Sequence, residues 1–336
     1  MKGFAERVDV EEVQAFLRTH TRTLASEAVD LLSCVGRVLA EDVRAEIDVP
    51  GFARSAMDGY AVRGEDTFGA SVYDTIALSV RGEALPGKPF GGRVERGSAV
   101  RVMTGAPIPE GADAVVMAEV CEERDSTVEI SEAVAPHKNI GAIGEDIRVD
   151  DLVLRANRRL RPQDVGLLAS IGAQSQECVR RPRVQLVITG DELLPIGSRP
   201  EGPRIVDSNS VVLRSLVARD GGELLPFEIL PDRPEVISEA LHGVDADLVI
   251  VSGGSSVGTE DHAPHLVAEL GSLDFHGISM RPSSPTGIGR VEGRLVFLLP
   301  GNPVSCLCAY EFFAGPSLRA LGGRSREWPH RRKRLP

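Results

Sequence analysis

The chain has 336 residues and a formal net charge of −11. That length suits two or three domains with ample material for a core, and the acidity excludes a general attraction to nucleic acid or to anionic membrane. No apolar run approaches the ~18 residues of a membrane span, and the N-terminal stretch MKGFAERVDVEEVQ has no apolar signal core. Cys34, Cys121, Cys178, Cys306 and Cys308 form no C-x-x-C pair. Their odd number argues against a disulfide framework and fits a reducing, cytoplasmic setting.

Near the start, Val10, Val13 and Leu17 share one helical face behind Asp9, a residue suited to an N-cap. A second short helix is expected over 27–34. From about 49 the texture becomes short apolar runs split by Gly and Pro (YAV, TIALSV, SAVRVM, DAVVMAEV, TVEIS), which reads as a β-rich module ending near Asp146. The stretch DLVLRANRRLRPQDVGLLASIG then predicts a strand and a helix starting at Pro162.

From about 183 apolar strands alternate with amphipathic helices. VQLVIT, ELLPFEI and DLVIVS are each followed by a helix, near 208–220, 234–242 and 262–270. LDFHGISM and RLVFLLP precede a helix from Pro303. This rhythm predicts a mostly parallel sheet covered on both faces, with ligands beyond the carboxyl ends of its strands. The tail RSREWPHRRKRLP reads as a solvated, frayed basic segment. Nucleic-acid or partner contact by Arg331, Arg332, Lys333 and Arg334 is disfavoured by the overall acidity.

Four loops at those carboxyl ends could carry chemistry. In SGGSSVG (252–258) Gly253 and Gly254 permit close backbone approach and the following amides could face phosphate; a tight strand-to-helix turn would look the same. In TGDEL the adjacent Asp191 and Glu192 could bind Mg²⁺ or a heterocycle, or simply cap a helix. LPGNPVS offers a rigid turn whose free amides beside Ser305 could hold an oxyanion, or a plain helix start. MRPSSPTG supplies one cation and small hydroxyls. The lack of both G-x-x-x-x-G-K-[ST] and G-x-G-x-x-G disfavours a P-loop or a dinucleotide fold. Asp261, His262 and His265 in DHAPH resemble metal ligands, yet no third His or Cys stands at a ligand spacing. In the β-rich module, Asp58 of SAMDGYAV and Thr104 of TGAPIPEGADAVV read equally well as turn residues.

Taken together, SAMDGYAV, TGAPIPEGADAVV, GED, TGDEL, DSN, SGGSSVG and LPGNPVS follow one family's order and spacing. Over about residues 5–322 the sequence resembles the molybdopterin molybdenumtransferases, the MoeA family, which includes the E domain of gephyrin. The resemblance implies a multidomain α/β fold. It would have an elongated linker domain from 1–48 and 147–181, an inserted β-rich domain from 49–146, a three-layer α/β molybdopterin-binding domain from 182–322 and a basic tail from 323–336. It implies a homodimer in which Asp58, Thr104 and Asp146 reach a cleft of the partner subunit. The implied reaction inserts molybdate into adenylylated molybdopterin with Mg²⁺-dependent release of AMP, and the molybdopterin adenylyltransferase is an implied partner.

By the same resemblance, catalytic positions fall on Asp58, Thr104, Asp146, Glu192, Asp232 and Asp261, with Mg²⁺ on Glu192 and Asp261. Substrate-binding positions fall on Asp191, Gly253, Gly254, Ser255, Ser256, Arg281, Ser284, Pro300, Asn302, Pro303 and Ser305.

The sequence also departs from the family pattern. The family's K-P-G-K-P is Arg281-Pro282-Ser283-Ser284-Pro285 here, its N-I-R is Asn139-Ile140-Gly141, and its GGVSVG carries Ser255. The chain also ends about where the family's small C-terminal β domain is expected to begin. Loss of two charge-assisted hydrogen bonds would cost roughly two to four powers of ten in binding or rate unless another cation, such as Arg290, compensates. Two readings therefore stand: an active molybdenumtransferase, and a non-catalytic molybdopterin-binding or scaffold paralogue.

Overall fold

The computed structural model describes residues 7–200, 202–253 and 262–330. These form two compact units. The larger takes the chain up to Glu41, Arg155–Val165 and everything from Gln174 on; the smaller takes Asp42–Leu154 and Gly166–Ala173.

In the larger unit, α1 (Val10–His20) buries Val13 and Leu17, as its apolar spacing requires. Asp9 stands at its N-cap without accepting a side-chain cap bond. The helix expected over 27–34 is instead a strand, Ser26–Asp30, followed by a single 3-10 turn, Leu31–Ser33. The strand pairs antiparallel with Ser175–Val179, from Ser26 opposite Val179 to Asp30 opposite Ser175. A partner about 150 residues away in the chain supplies a ladder that outweighs local helix propensity. The helix α2 (Pro162–Ser170) does begin at Pro162. Asp164 braces its first turn, accepting from the Arg161 N–H at 2.9 Å and from the Arg158 guanidinium at 2.8 Å.

The main sheet runs Glu223–Leu224, Arg183–Thr189, Leu248–Ser252, Arg294–Leu299, Gly287–Val291, Gly271–His276, with Ile229–Leu230 also on Arg183–Thr189. The pairings on Arg183–Thr189 and that of Leu248–Ser252 with Arg294–Leu299 are parallel; the last two strands are antiparallel. Side chains divide by the period of two that a pleated strand imposes. Leu186, Ile188, Ile250, Phe297 and Leu299 pack into one core with Leu213, Val217 and Phe313. Val187, Val249, Val251, Val296 and Leu298 pack into another with Ile237, Leu241 and Val267. The first core is covered by α1, α3 (Asn209–Asp220), α6 (Pro303–Ala309), a π-helical turn (Tyr310–Ala314) and α7 (Gly315–Leu321), the second by α4 (Pro234–Leu241) and α5 (Ala263–Leu270). Burial on both faces explains why these strands read as nearly continuous apolar runs.

The segment after α7 is pinned rather than frayed as far as it is described. Arg319, 4% exposed, donates to the carbonyls of Ser325 and Arg326, and Arg324 donates to the carbonyls of Arg219 and Gly36.

The smaller unit is built on a six-stranded sheet: Ala114–Met117, Gly59–Val62, Ser98–Val102, Ile76–Ala84, Thr127–Ile130, Cys121–Arg124. Gly59 has no room for a side chain, because a Cβ there would lie 1.9 Å from the Val116 carbonyl oxygen. Two short antiparallel pairs, Arg54–Ser55 with Ile140–Gly141 and Val43–Arg44 with Leu152–Leu154, bring distant segments together beside it.

Candidate active site

Arg183–Thr189, Leu248–Ser252 and Arg294–Leu299 end side by side, with Ile188 opposite Ser252 and Ser252 opposite Leu299. The loops leaving these ends surround a cavity of about 280 Å³. Glu192, Gly253, Asn302 and Pro303 line it. So do Thr189, Asp207, Asn209 and Ser252, to which sequence reasoning gave no individual role. The signal for two of them is D-S-N (207–209), which leads into α3.

Asn209 ties the floor of this cavity together. Its side-chain amide donates to the Ser252 hydroxyl at 3.0 Å and to the Gly301 carbonyl at 2.8 Å, joining the start of α3 to two strand ends. Asp207, buried, accepts from the Ser210 N–H at 3.1 Å and so braces the first turn of α3. Gly253 adopts φ +107°, and a Cβ on it would fall 2.1 Å from the Thr189 carbonyl oxygen. Close approach of two strand ends therefore already demands this glycine. The Thr189 hydroxyl is buried beside it with no hydrogen-bond partner among the described residues.

Asp191 and Glu192 part company. The Asp191 carboxylate accepts from the Asp232 N–H at 3.3 Å, bringing those two predicted residues together at a neighbouring loop. The Glu192 carboxylate folds back over Gly190 and lines the cavity. Neither caps a helix, because the chain continues into a short strand, Leu193–Leu194, parallel to Ile205–Val206. That alternative is overturned.

The turn into α6 also corrects an expectation. Val304 and Ser305 direct their N–H groups at the Asn302 side-chain oxygen, at 3.2 and 3.3 Å, and Pro303 has none. The amides expected to hold an oxyanion are used as an internal cap. Pro300 is buried just past the end of the strand Arg294–Leu299. Behind the turn, burial pushes the Cys306 thiol up to about 11, so it is no thiolate at neutral pH.

The loop 281–286 is fastened to α6. Ser283, 3% exposed with φ +99°, donates its hydroxyl to the Ser305 carbonyl at 2.6 Å. The Ser284 carbonyl accepts from the Ile278 N–H at 2.9 Å, while the Ser284 hydroxyl is buried with no partner. Arg281 is exposed at the loop's mouth, with no ion pair among the described residues. Arg290, the cation named above as a compensating charge, is engaged: its guanidinium grips Asp274 at 2.9 and 2.7 Å and lies 5.6 Å from the Phe16 ring.

In the smaller unit Asp58 and Thr104 meet. The Asp58 carboxylate accepts from the Thr104 N–H at 2.7 Å and from its hydroxyl at 2.8 Å, and these two bonds hold its pKa below the ordinary carboxylate value. Asp58 therefore ties its own turn to the loop at Thr104. Asp146, exposed, lies 3.4 Å from Arg54, whose guanidinium is held mainly by Glu145. Gly141 is opposite Arg54 in the strand pair, and the Glu145 carboxylate fills the space where its side chain would be.

Gly254, Ser255, Ser256 and Asp261 lie outside the described residues. His262 and His265 open α5, and no three His, Cys, Asp or Glu side chains among the described residues converge to hold a metal.

Residues 8–172 match the MoeA N-terminal region (domain I and II), and residues 185–320 match a domain described as "Probable molybdopterin binding domain". The molybdopterin molybdenumtransferase of Haemophilus influenzae is 38% identical over 311 residues, 91% of this chain and 76% of that protein. This chain belongs to the MoeA family. Molybdopterin molybdenumtransferase 2 of Mycobacterium tuberculosis is 35% identical over 334 residues, covering 96% of this chain and 82% of its own length. The crystal structure of the molybdopterin biosynthesis MoeA protein from Pyrococcus horikoshii OT3 superposes with a TM-score of 0.79 at 34% identity, covering 95% of this chain and 80% of that one. The fold is thus a MoeA-like multidomain α/β fold. Within this MoeA chain the first match carries Asp58, Thr104 and Asp146, and the second carries the strand-end cavity. No helix among the described residues is long and apolar enough to cross a membrane.

Proposed function

We propose that this chain is a cytoplasmic molybdopterin molybdenumtransferase, inserting molybdate into adenylylated molybdopterin with release of AMP. The observation that carries the reading is the cavity at the strand ends. There Glu192, Asp207, Asn209, Ser252 and Gly253 converge, in a chain 38% identical to a molybdopterin molybdenumtransferase. Gly253 lets the backbone come close to an anionic ligand. The Thr189 hydroxyl, unpartnered among the described residues, stands in the cavity lining as a hydrogen-bonding group for a polar heterocycle such as a pterin. Asn209 holds two loops in fixed relation, which keeps the cavity preorganised.

The donor set suits Mg²⁺. Glu192 and Asp207 offer hard carboxylate oxygens, while the nearby Cys306 thiol is kept protonated. These two carboxylates would hold the ion. When bound, Mg²⁺ supplies charge neutralisation to the phosphoanhydride. The reading includes a homodimer in which Asp58, Thr104 and Asp146 serve the substrate held by the partner subunit. Asp58, kept ionised by the two Thr104 donors, acts there as a fixed negative charge rather than a proton donor at neutral pH.

Purified protein given adenylylated molybdopterin, Mg²⁺ and molybdate is expected to release AMP above the spontaneous rate. No such excess sinks the enzymatic reading.

One observation favours the second reading, a molybdopterin-binding paralogue without turnover: no Lys or Arg is among the described residues lining the cavity. That reading predicts saturable molybdopterin binding with no AMP release. It also predicts that Ser284→Lys together with Gly141→Arg raises molybdate and nucleotide affinity by about tenfold or more. Unchanged affinity in the double variant would show that missing charge at those positions is not what limits anion binding.

A further inference from the structure

The larger unit contains a second cavity, of about 590 Å³, remote in its lining from the strand-end site. Its walls come from α1, the π-helical turn, α7 and the segment after α7. The Arg319 side chain, donating to the Ser325 and Arg326 carbonyls, brings that segment back along the helix and sets Arg326 and Trp328 on the rim. Trp328 meets Phe312 edge to face, with ring centroids 5.5 Å apart, and Leu17 and Pro316 extend the apolar wall.

The polar side of the cavity is short of anions. Glu311 is claimed by Arg219, at 2.6 and 3.1 Å, and Arg319 is paired with Asp220 at 3.0 Å. That leaves Arg18, Arg326 and Glu327 as the charges facing the space without an ion pair, a surplus of one positive charge. Among the described residues Arg18 has no acidic partner, and Arg326 donates to the Thr21 carbonyl, at 3.1 Å, and to no carboxylate. Burial first, and then the charge of Arg18, push the Arg326 pKa down, as expected of two cations that lack a counter-ion. Independently of these charges, the Ser317 hydroxyl on the same wall is fully buried and has no hydrogen-bond partner. An aromatic cleft flanked by exposed Arg18 and half-buried Arg326, with a net surplus of one positive charge, suits an anionic ligand with an apolar body.

We propose that this cavity binds a small aromatic carboxylate, its ring against Phe312 and Trp328 and its carboxylate on Arg18 and Arg326. The volume falls within the range of small-molecule pockets, about 300–1,000 Å³. A planar carboxylate matches the fork of a guanidinium, which a compact cation would not require. The aromatic wall selects against simple inorganic anions. Nothing in this assignment depends on molybdopterin chemistry.

Trp328 is the chain's single tryptophan, so its emission reports on this cavity alone. The probes are biphenyl-4-carboxylate and its neutral isostere biphenyl-4-carboxamide, titrated against the full chain. The carboxylate should change Trp328 emission saturably and bind at least about tenfold tighter than the carboxamide. Arg18→Gln and Arg326→Gln should each reduce that preference to about threefold or less. Arg18 is exposed and makes no ion pair, so its variant should keep the parent melting temperature even where Arg326→Gln loosens the tail. Equal affinity for the two probes, no change in emission with either, or a preference that survives Arg18→Gln at an unchanged melting temperature overturns the proposal.

Discussion

Asp58 takes both hydrogen-bond donors of Thr104, the N–H at 2.7 Å and the hydroxyl at 2.8 Å, across 46 positions of sequence. The bonds favour the ionised carboxylate. Thr104→Val removes the hydroxyl and leaves the N–H, so the Asp58 pKa should rise toward the ordinary carboxylate value without reaching it. Carboxyl-carbon NMR titration of the two proteins measures this. An unchanged titration would show that the hydroxyl contributes nothing to the low value.

Gly253 gives the sharpest steric test. A methyl group there collides with the Thr189 carbonyl oxygen, and φ is +107°. Gly253→Ala should cost at least ~2 kcal/mol, read as a lower denaturant midpoint at an unchanged slope. Parent stability in the variant would mean that the two strand ends do not approach each other this closely.

Asn209 donates in both of its side-chain bonds, to Ser252 and Gly301. Asn209→Asp places a carboxylate against a carbonyl oxygen and should destabilise by ~2–3 kcal/mol, whereas Asn209→Ala should cost about 1–2 kcal/mol. Both should weaken molybdopterin binding, since the cavity floor loses its tie. A variant that is less stable but binds normally would assign Asn209 to folding alone.

Asp164 sets an acid limb of stability. Hydrogen bonds from Arg161 and Arg158 hold its pKa far below the ordinary carboxylate value, and its side chain is 4% exposed. A depressed folded-state pKa gives stabilisation that is complete above the unfolded-state value and fades as pH falls through it toward the folded-state value. Asp164→Asn should therefore cost roughly 1.5–3 kcal/mol near neutrality and progressively less in acid. Parallel pH–stability curves for the two proteins would contradict this.

Ser284 is expected to tolerate loss of its side chain. Its hydroxyl is buried with no partner, and such a group costs free energy rather than supplying it. Ser284→Ala should be neutral or stabilising by up to ~1 kcal/mol in thermal unfolding. Clear destabilisation would reveal a bond made by that hydroxyl.

The alternation of strands and helices from residue 183 is legible in the sequence because each strand is buried on both faces and each helix on one. The expected helix near 208–220 is α3, and the expected start at Pro303 is α6. The Ser26–Asp30 strand is not legible, since EAVDLLSC carries ordinary helix formers and its partner at Ser175–Val179 leaves no local trace. The site divides in the same way. Glycines and carboxylates after apolar runs point to the strand ends, so the placement of Gly253 and Glu192 in the cavity lining is legible. Thr189 and Ser252 are missed because they are the last residues of strands, indistinguishable in sequence from core positions. The role expected of the amides beside Ser305 fails on a competition invisible in one dimension: the Asn302 side chain reaches them first.

The bond from the Ser283 hydroxyl to the Ser305 carbonyl has a consequence for grafting between relatives. The loop 281–286 and the first turn of α6 share an anchor although 22 positions of chain separate them. A transplanted loop that lacks a hydroxyl at 283 would leave the turn unbraced. The smallest transferable module is the loop together with that helical turn, moved as a single cassette.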